Sequence, residues 1–565
     1  MSEKIKITIV MDDEKLNIRS TSSSGSSVIV THDSSTTVMS TLLKNELISG
    51  SFCGGRGDCG RCKIQFIEGT TMPTPLERSV MEPEELRQGY RLACLAKPKD
   101  NCVIKLALED TPKIDIVSDM IAVTEKNDYN SQQNIRTANR KSDVTKSSVI
   151  GNDFNKQDVK KSCVMKSSVV QPENRFSCQN HGEDMIIAVD LGTTTIAMQL
   201  MGMESGRIID TYCEMNPQRR YGSDVLSRMK ASCDGSREVL QQLVVQVLER
   251  GVARFEQCLS KEECVRAMCI AGNTTMEHLL MGYDVSSLGR SPFIPVEIGL
   301  QEYMHSDFTF PVWLVPCISA FVGGDIVAGL YALGMLPKTQ RSREQKRNGE
   351  GNADREENGK HATLLIDLGT NGEMAITDGT RMVVTATAAG PAFEGGAGAG
   401  VIGSDMIAST ASLLKQEILD ETGLLTDPYF TEGVTVGDPA VRLCNKDIRD
   451  LQMAKAAVRA GIEILWRQMG EPATLHVYLA GGFGYYLDVE AAFSIGLLPA
   501  HMRGQVEAVG NTSLAGAFMI GCDLWKHKTD KALLEKSLSS IVKINLAEQE
   551  AFEKLYVRYM NLGES

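Results

Sequence analysis

Four cysteines have a spacing that suits an iron–sulfur cluster. Cys53, Cys59 and Cys62 form a C-x5-C-x2-C run, and Cys94 follows after 31 further residues. Three close thiolates and one distant thiolate are typical of a [2Fe–2S] cluster, which one loop wraps and a remote ligand closes. Structural zinc is the alternative, but zinc sites usually pair two such knuckles and this chain has one. The pattern therefore predicts a [2Fe–2S] cluster on these four cysteines.

Two other segments place carboxylates and hydroxyls at the tips of predicted hairpins. Asp190 begins Asp-Leu-Gly-Thr-Thr-Thr, and Asp367 begins Asp-Leu-Gly-Thr-Asn-Gly-Glu, 177 positions later. Each segment follows an apolar run and leads into another, which indicates strand, tight turn, strand. Turn amides and Thr hydroxyls can bind phosphate, and a carboxylate at the strand end can hold Mg²⁺ directly or through water. One such turn is common in β-hairpins, but two suggest a duplicated fold with phosphate loops facing each other across a cleft.

These paired turns resemble those of the actin, sugar kinase and chaperone ATPase superfamily, often called ASKHA. The resemblance implies a duplicated RNase H-like domain that binds Mg-ATP, with Asp190 and Asp367 serving Mg²⁺ and Asp190 also counted as catalytic. The candidate phosphate-binding residues share the two turns and are Thr193, Thr194, Thr195, Gly369, Thr370 and Asn371.

Three further positions match that superfamily pattern. The Gly481-Gly482 turn follows a predicted strand and is the candidate contact to adenosine. Lys455 lies on the preceding predicted helix and is a candidate for the adenine; the alternative is an exposed helix lysine without a role. Asp325 begins another predicted helix and is the candidate catalytic residue that positions water. The alternative for Asp325 is a helix N-cap, and both roles are compatible.

The elements that position these residues follow from apolar periodicity. Alternation predicts strands at 4–10, 64–66 and 104–108, with a partner at 28–30. Ser35 or Thr36 is predicted to cap a helix that carries Val38 and Leu42. His278 is interpreted as a packed helix residue, and Cys102 as a strand residue outside the cluster pattern.

The chain divides into a multidomain α/β and α+β protein. We expect a β-grasp ferredoxin-like domain at 1–115, a low-complexity linker at 116–184 and the first ATPase half at 185–337. A charged insertion follows at 338–361, and the second ATPase half occupies 362–565. The linker composition predicts disorder, and no metal pattern surrounds its cysteines, Cys163 and Cys178.

The net charge, the apolar runs and the cysteine count limit the possible partners and the cellular compartment. The net charge of −13 argues against non-specific binding to nucleic acid or acidic membranes. No signal-peptide pattern and no apolar run near the ~18 residues of a membrane span are visible. The 15 cysteines are therefore expected to be reduced in the cytoplasm, most of them as small buried apolar side chains.

Together, the motifs resemble those of the ATP-dependent reductive activators of corrinoid proteins, found in anaerobes. The segments that carry this resemblance are Arg-Leu-Ala-Cys at 91–94, Gly-Asn-Thr-Thr-Met at 272–276, Gly-Pro-Ala-Phe-Glu-Gly at 390–395 and Ala-Gly-Gly-Phe-Gly at 480–484. The resemblance covers roughly 1–115 and 185–560. In that family a small middle domain usually lies between ferredoxin and ATPase, where this chain has its low-complexity stretch.

The resemblance implies a reaction and its partners. One electron would pass from the [2Fe–2S] cluster to Co(II) of a corrinoid protein, which regenerates Co(I) for methyl transfer. An external low-potential donor would supply the electron, ATP would drive the transfer, and a homodimer is left open. Two alternatives remain. One is a small-metabolite kinase with a redox-sensing ferredoxin domain, and the other is a non-catalytic interaction protein switched by redox state and nucleotide.

Overall fold

The computed structural model describes most of the chain outside two long segments. The described residues are 4–10, 27–45, 47, 57, 60, 62–106, 182–222, 224–260, 262–305, 308–337, 361–369, 371–390, 393, 403–437 and 441–563. Two units are separated, one of residues 1–123 and 183–565 and the other of residues 124–182. The predicted linker, with Cys163 and Cys178, lies outside the described residues up to position 181, and the predicted charged insertion does so up to position 360.

The N-terminal part folds into a five-stranded mixed sheet. Its strands are β1 (Lys4–Val10), β2 (Ser27–Asp33), β3 (Lys63–Glu68), β4 (Tyr90–Leu92) and β5 (Cys102–Leu106), in the order β2-β1-β5-β3-β4. Strands β1 and β5 are parallel, and the other neighbours are antiparallel. Its helices are α1 (Val38–Lys44), α2 (Pro75–Val80) and α3 (Pro83–Arg87). The β-grasp ferredoxin fold expected from the sequence is confirmed.

Alternation places the apolar side chains of this sheet on one face. Ile7 and Ile9 of β1 are fully buried, as are Ile64 of β3 and Ile104 of β5. Cys102 is buried in β5, which confirms it as a strand residue.

The predicted cap of α1 is wrong by one or two positions. Thr37 precedes the helix, and its hydroxyl accepts the Ser40 amide at 3.3 Å. Ser35 and Thr36 instead bond to Asp33, in the turn that ends β2. The Asp33 carboxylate accepts from Ser35, because its short polar group can bond to the backbone two residues further on, and the Asp33 carbonyl accepts the Thr36 hydroxyl.

The next part of the chain forms a six-stranded sheet with the order β10-β11-β9-β6-β7-β8. The strands are β6 (Asp184–Leu191), β7 (Thr195–Gly202), β8 (Ile208–Met215), β9 (Cys264–Gly272), β10 (Gln301–Tyr303) and β11 (Val312–Leu314). The α-helices are α4 (Val225–Ala231), α5 (Arg237–Glu256), α6 (Thr274–Leu280) and α7 (Gly324–Ala332). An antiparallel meander of β6, β7 and β8 joins β9 and β11, which run parallel to β6.

A second six-stranded sheet repeats this plan with the order β18-β17-β12-β13-β14-β19. The strands are β12 (His361–Leu368), β13 (Gly372–Thr377), β14 (Met382–Thr387), β15 (Val434–Val436), β16 (Val441–Leu443), β17 (Thr474–Ala480), β18 (Val506–Gly510) and β19 (Val542–Lys543), with β15 and β16 forming a separate pair. The α-helices are α8 (Gly403–Lys415), α9 (Tyr429–Glu432), α10 (Asn445–Gln468), α11 (Gly481–Tyr486), α12 (Val489–Ser494), α13 (Thr512–Trp525), α14 (Lys531–Ser539) and α15 (Glu550–Arg558).

The two sheets are structural duplicates. Each sheet contains a three-stranded meander, β6–β8 in the first and β12–β14 in the second. Beside the first strand of each meander lie two parallel strands, β9 and β11 in the first sheet and β17 and β18 in the second. The first strand of each is central and buried on both faces, which explains its nearly continuous apolar run. The duplicated RNase H-like domain expected from the sequence is confirmed.

Helices α7 and α13 pack against each other between the two sheets. Ile326 of α7 and Phe518 of α13 share one apolar core with Ile186 of the first sheet and Leu365 of the second. A Cβ added at Gly516 would lie 1.9 Å from the Ala328 carbonyl oxygen, so the two backbones touch at this crossing. The core therefore joins the halves through one helix from each.

Candidate functional site

Strand pairing brings two of the four predicted cluster ligands together. Cys62 immediately precedes β3, and Cys94 follows β4, its antiparallel partner. The Ala93 amide donates to the Cys62 carbonyl at 2.7 Å, and the two Sγ atoms lie 3.2 Å apart. Both cysteines are buried. Cys53 and Cys59 lie outside the described residues, so their part in the ligand set stays a prediction.

The donor set fits a metal cluster better than ordinary core packing. Two sulfurs so close, shielded from water and held by a sheet, can serve as thiolate ligands of one iron atom. Cys102 differs, because burial raises the pKa of its thiol to about 11 and it remains protonated. Glu77 of α2 supports the ligand strand, since one carboxylate oxygen accepts the Leu92 amide at 2.8 Å and the other accepts the Thr74 amide.

The carbonyl groups of the first hairpin turn accept hydrogen bonds from Asn216 and Arg228. The side-chain Nδ2 of Asn216 donates to the Gly192 carbonyl at 2.9 Å, and its backbone N–H donates to the Thr194 carbonyl at 2.8 Å. The buried guanidinium of Arg228 donates to the Thr193 carbonyl at 2.5 Å. Since C=O and N–H of one peptide group point in opposite directions, the Thr193 and Thr194 amides face away from these donors. That orientation suits an anion in front of the turn.

Asn273 fixes the hydroxyl in the same turn. Its side-chain oxygen caps α6 by accepting the Met276 amide at 3.1 Å, and its Nδ2 donates to Thr193 Oγ1 at 2.9 Å. The Thr193 hydroxyl keeps its own proton to donate elsewhere. His278 lies on the same helix, with Nδ1 against the Thr274 carbonyl and Nε2 accepting the Val296 amide. Both ring nitrogens are used, so the interpretation of His278 as a packed residue is confirmed.

The second hairpin carries its own carboxylate pair. Asp367 in β12 lies directly opposite Glu373 in β13. The Gly369 amide donates to the Asn371 carbonyl at 2.9 Å and closes the turn, and Asn371 Nδ2 lies 3.5 Å from the Glu373 carboxylate. Thr370 lies outside the described residues. A phosphate role for this turn stays a prediction.

Asp190 and Asp325 extend this acidic group across the two halves. Burial raises the pKa of Asp190, although Asn511 and Ser513 donate to its carboxylate and partly oppose that effect. Burial, followed by the charge of Asp190, raises the pKa of Asp325 to about 7. The pKa of Glu373 is raised well above its usual value by burial and then by Asp325 and Asp367. Glu373 is buried and Asp190, Asp325 and Asp367 are half-buried, and the charges of these four carboxyls interact within one region.

The helix-cap alternative for Asp325 is wrong. Helix α7 has Gly323 as its N-cap, and Asp325 lies inside the first turn. Its carboxylate accepts the neighbouring Ile326 amide at 2.8 Å. Gly323 has the extended backbone of an N-cap, and a Cβ there would lie 2.5 Å from Asn273 Cα, so the position has room only for glycine. Asp325 therefore does not cap the helix, and its carboxyl interacts with the charges of the neighbouring acidic residues.

The acidic group suits a hydrated cation more than a fully ligated one. Within the described ranges, no three His, Cys, Asp or Glu side chains are close enough to hold one metal ion. Mg²⁺ usually takes one or two carboxylates and completes its shell with water and phosphate oxygens. Asp190 and Asp367, at corresponding strand ends, fit that mode.

The Gly481 turn touches this region directly. Gly481 has a φ of +82°, and a Cβ there would lie 2.5 Å from Asp367 Oδ1. The turn therefore needs glycine both for its backbone angle and for the approach of the carboxylate. A contact of Gly481 and Gly482 to adenosine stays a prediction.

Lys455 is not an exposed helix lysine, so that alternative is wrong. It is almost fully buried on α10, and its Nζ donates to the Asn561 carbonyl at 2.5 Å. Burial, with a smaller effect of Arg459, lowers the pKa of Lys455 to about 7. The helical pattern predicted the buried face through Leu451 and Val458 but left Lys455 off it. An adenine contact stays a prediction.

Three polar residues at the site were missed by sequence reasoning. Asn511 Nδ2 donates to Asp190 Oδ2 at 2.8 Å, and the Ser513 hydroxyl donates to Asp190 Oδ1 at 3.0 Å. Glu373 is the third. An Asn-Thr-Ser sequence before an apolar helix signals an N-cap, but nothing local indicates a partner 321 positions away.

Comparisons with known proteins cover all three described parts. A family model described as the RACo middle region matches 185–338, and one described as the C-terminal, ASKHA domain of RACo matches 361–399 and 397–565. The 2Fe-2S iron–sulfur cluster binding domain matches 22–99. The segment that resembles the first ATPase half thus corresponds to the middle region of that family, and the low-complexity stretch lies between the matches.

Whole-chain similarities agree with these matches. The chain is 25% identical to the corrinoid activation enzyme RamQ of Eubacterium limosum, over 67% of this chain and 70% of RamQ. It is 22% identical to the [Co(II) methylated amine-specific corrinoid protein] reductase of Methanosarcina barkeri, over 66% and 76%. A solved reductive activator for a corrinoid, iron-sulfur protein shares the fold with a TM-score of 0.56 and 22% identity, over 99% and 98%. Among the described residues, no helix is long and apolar enough to cross a membrane.

Proposed function

The chain belongs to the reductive activators of corrinoid proteins, and from that premise we propose that it uses ATP to drive one-electron reduction of a Co(II) corrinoid protein to Co(I). One observation carries the proposal: a single chain combines a buried cysteine pair suited to a cluster with a two-hairpin acidic site suited to Mg-ATP. Neither part alone would distinguish an electron carrier from a kinase.

The cluster would be held by Cys53, Cys59, Cys62 and Cys94. When bound, it supplies one electron at low potential, about −400 mV for plant-type clusters. Each further ~100 mV toward a more negative acceptor costs roughly 2.3 kcal/mol, which explains the need for ATP. An external low-potential donor re-reduces the chain after each transfer.

In the proposed ATP site, the two hairpins bind the phosphates from opposite sides. Thr193, Thr194 and Thr195 bind phosphate from one side, and Gly369, Thr370 and Asn371 bind it from the other. Asp190 and Asp367 would hold Mg²⁺, directly or through its bound water. Both hairpins would touch the same polyphosphate, so its hydrolysis changes the contacts of both halves at once.

Asp325 orients the attacking water. A carboxyl with a pKa about 7 is partly ionised near neutral pH, so it can accept a hydrogen bond and a proton from water. Burial, followed by the charges of Asp325 and Asp367, raises the pKa of Glu373 well above its usual value, which disfavours a further negative charge near Asp325. Gly481 and Gly482 would place adenosine at the end of β17. The proposal sets this chemistry in the cytoplasm, where cysteines stay reduced and available as cluster ligands.

The test measures ATP hydrolysis and Co(I) formation together. The full chain with its cluster is mixed anaerobically with a Co(II) corrinoid protein and a Ti(III) reductant, with ATP, with a non-hydrolysable analogue or without nucleotide. We expect the Co(I) absorption band only with ATP, and ATP turnover that rises when the corrinoid protein is added. Turnover that needs a small metabolite and ignores the corrinoid protein would favour the kinase, and no turnover would favour the interaction protein.

A further inference from the structure

Asn511 performs two tasks with one side chain. Its Oδ1 accepts the Leu514 amide at 2.9 Å and caps α13, while its Nδ2 donates to Asp190 Oδ2 at 2.8 Å. Two residues further on, the Ser513 hydroxyl donates to the other oxygen of Asp190 at 3.0 Å. Asn511 and Ser513 are both buried. Both oxygens of a carboxylate in the first half are therefore bound by donors from the second half.

Helix α13 also determines the position of the other half's acidic helix. Gly516 packs against the backbone of Ala328 in α7, and the first turn of α7 carries Asp325. Asp190 and Asp325 come from separate elements, a strand end and a helix start. Helix α13 contacts Asp190 through hydrogen bonds at its N-terminus, and it contacts the helix that carries Asp325 where Gly516 packs on the backbone of Ala328. The relative position of the two carboxyls thus depends on α13.

We infer that Asn511 and Ser513 are positioning residues for the ATP reaction, which hold Asp190 in one orientation toward Mg²⁺ and the phosphates. The inference rests on the proposed function, because it takes Asp190 as a ligand of Mg-ATP. Because two hydrogen-bond donors already fix the orientation of the Asp190 carboxylate, metal binding does not have to restrict its side-chain rotation. Partners of metal ligands commonly change metal affinity or activity by 10–100-fold when they are replaced.

A helix cap without a functional role is the competing explanation, and the contacts separate the two. Capping uses only the Oδ1 of Asn511, whereas positioning uses Nδ2. Asn511→Ser keeps a good capping side chain but is too short to cap and to reach Asp190 together. Ser513→Ala removes the second donor without touching the cap, and Ser513→Thr retains a hydroxyl. Asp530→Ser changes a comparable cap, on α14, where the aspartate accepts the Leu533 amide at 2.8 Å.

The experiment compares ADP binding with and without Mg²⁺ by calorimetry, together with the melting temperature, on the full chain. For Asn511→Ser and Ser513→Ala we expect the Kd of Mg-ADP to rise at least tenfold, while the Kd of metal-free ADP changes less than threefold. Ser513→Thr should stay within threefold of the original chain in both. Asp530→Ser also keeps a good cap, so it should leave the melting temperature and both Kd values nearly unchanged.

Two results would overturn the inference. One is an unchanged Kd of Mg-ADP in both Asn511→Ser and Ser513→Ala. The other is an equal loss of affinity for Mg-ADP and metal-free ADP that follows the loss of melting temperature, which indicates a structural role. If the original chain itself binds no Mg-ADP, the ATP site of the proposed function fails, and the inference fails with it. Intact Mg-ADP binding in the original chain keeps the two cases distinct.

Discussion

The sulfur atoms of Cys62 and Cys94 lie 3.2 Å apart although 32 positions separate the two residues in the chain. The pairing of β3 with β4 is the cause, since Lys63 stands opposite Leu92 and the cysteines flank that pair. The contact therefore lies at the end of the paired strands, where Cys62 precedes β3 and Cys94 follows β4. A preformed pair of this kind lowers the ordering cost of cluster assembly.

Removing one member of this pair should abolish the cluster. We expect Cys94→Ala to lose the visible absorption and the two irons of a [2Fe–2S] centre, because the cluster needs four thiolate ligands. ATP hydrolysis should persist, and Co(I) formation should stop. Absorption spectroscopy and iron analysis of the purified chain provide the measurement.

Cys102→Ala is the matched control in the same domain. Cys102 is buried like the ligands, but its thiol is protonated and it lies within β5. The variant should retain two irons and lose only a little stability from the smaller side chain. A Cys94→Ala chain that still binds two irons would contradict the assignment, and so would loss of iron in Cys102→Ala alone.

Replacing Asp325 should stabilise the nucleotide-free protein while it stops hydrolysis. The pKa of Asp325 is about 7 in the folded chain against about 3.9 in an unfolded one. Between these values the folded state holds a proton that the unfolded state releases, so stability falls as pH rises and the loss is complete above about pH 7. Asp325→Asn is neutral throughout. Its advantage should therefore grow from pH 5 to pH 8, by on the order of a few kcal/mol.

Melting curves at the two pH values measure that difference, and Asp420→Asn is the control of opposite sign. Asp420 is exposed, and the Leu424 amide and Thr422 hydroxyl that it accepts lower its pKa. Its stabilising effect is present above its unfolded pKa, so Asp420→Asn should be less stable than the original chain at pH 8. An Asp325→Asn chain with no gain at pH 8 would show that Asp325 is not the coupled acid proposed here.

Gly481→Ala should impair ATP hydrolysis out of proportion to its effect on stability. The new Cβ would lie 2.5 Å from Asp367 Oδ1 and displace that carboxylate. Gly470 has nearly the same backbone angle, φ +80° against +82°, but nothing lies within 4 Å of its added Cβ. Gly470→Ala therefore has the same backbone strain, roughly 1–2 kcal/mol, without the clash.

Hydrolysis rates and melting temperatures of the two glycine variants separate strain from displacement. Both melting temperatures should fall by a similar amount, and only Gly481→Ala should lose hydrolysis, by tenfold or more because a metal ligand has moved. Equal hydrolysis in the two variants would mean that the position of Asp367 is not critical.

The sequence predicted the features that depend on neighbours along the chain. The hairpins at Asp190 and Asp367 combine strand periodicity with a turn, and both signals are local. Their repetition was enough to indicate the duplicated fold. The spacing also predicted Cys94 as the fourth ligand beside three close cysteines, and the structure brings its sulfur next to that of Cys62.

The contacts that the sequence could not predict join distant segments. The bond between Asn511 and Asp190 spans 321 positions and depends on how α13 crosses between the sheets. Lys455 looks like an exposed helix residue until Asn561 from the C-terminal segment covers it. Whether a polar group is buried in this protein depends on contacts between segments that are distant in the chain. The periodicity of a single helix does not predict those contacts.

Gly516→Ala tests the helix crossing that holds the two halves together. In a helix that is free of neighbours, alanine is more stable than glycine by roughly 0.5–1 kcal/mol. At this position the added Cβ would lie 1.9 Å from the Ala328 carbonyl oxygen, a backbone atom that cannot turn aside. We therefore expect a net loss of about 3 kcal/mol from overpacking, and a loss of ATP hydrolysis because α7 carries Asp325.

Gly521→Ala on the same helix is the matched control. Its added Cβ would lie 3.0 Å from Cys269 Cβ, so the neighbour must move by only a few tenths of an ångström, far less than at Gly516. Its stability should stay within about 1 kcal/mol of the original chain, since the gain in helix propensity offsets the closer packing. Thermal and denaturant unfolding of both variants provide the comparison. A Gly516→Ala chain as stable as Gly521→Ala would show that α7 and α13 are not in backbone contact in solution.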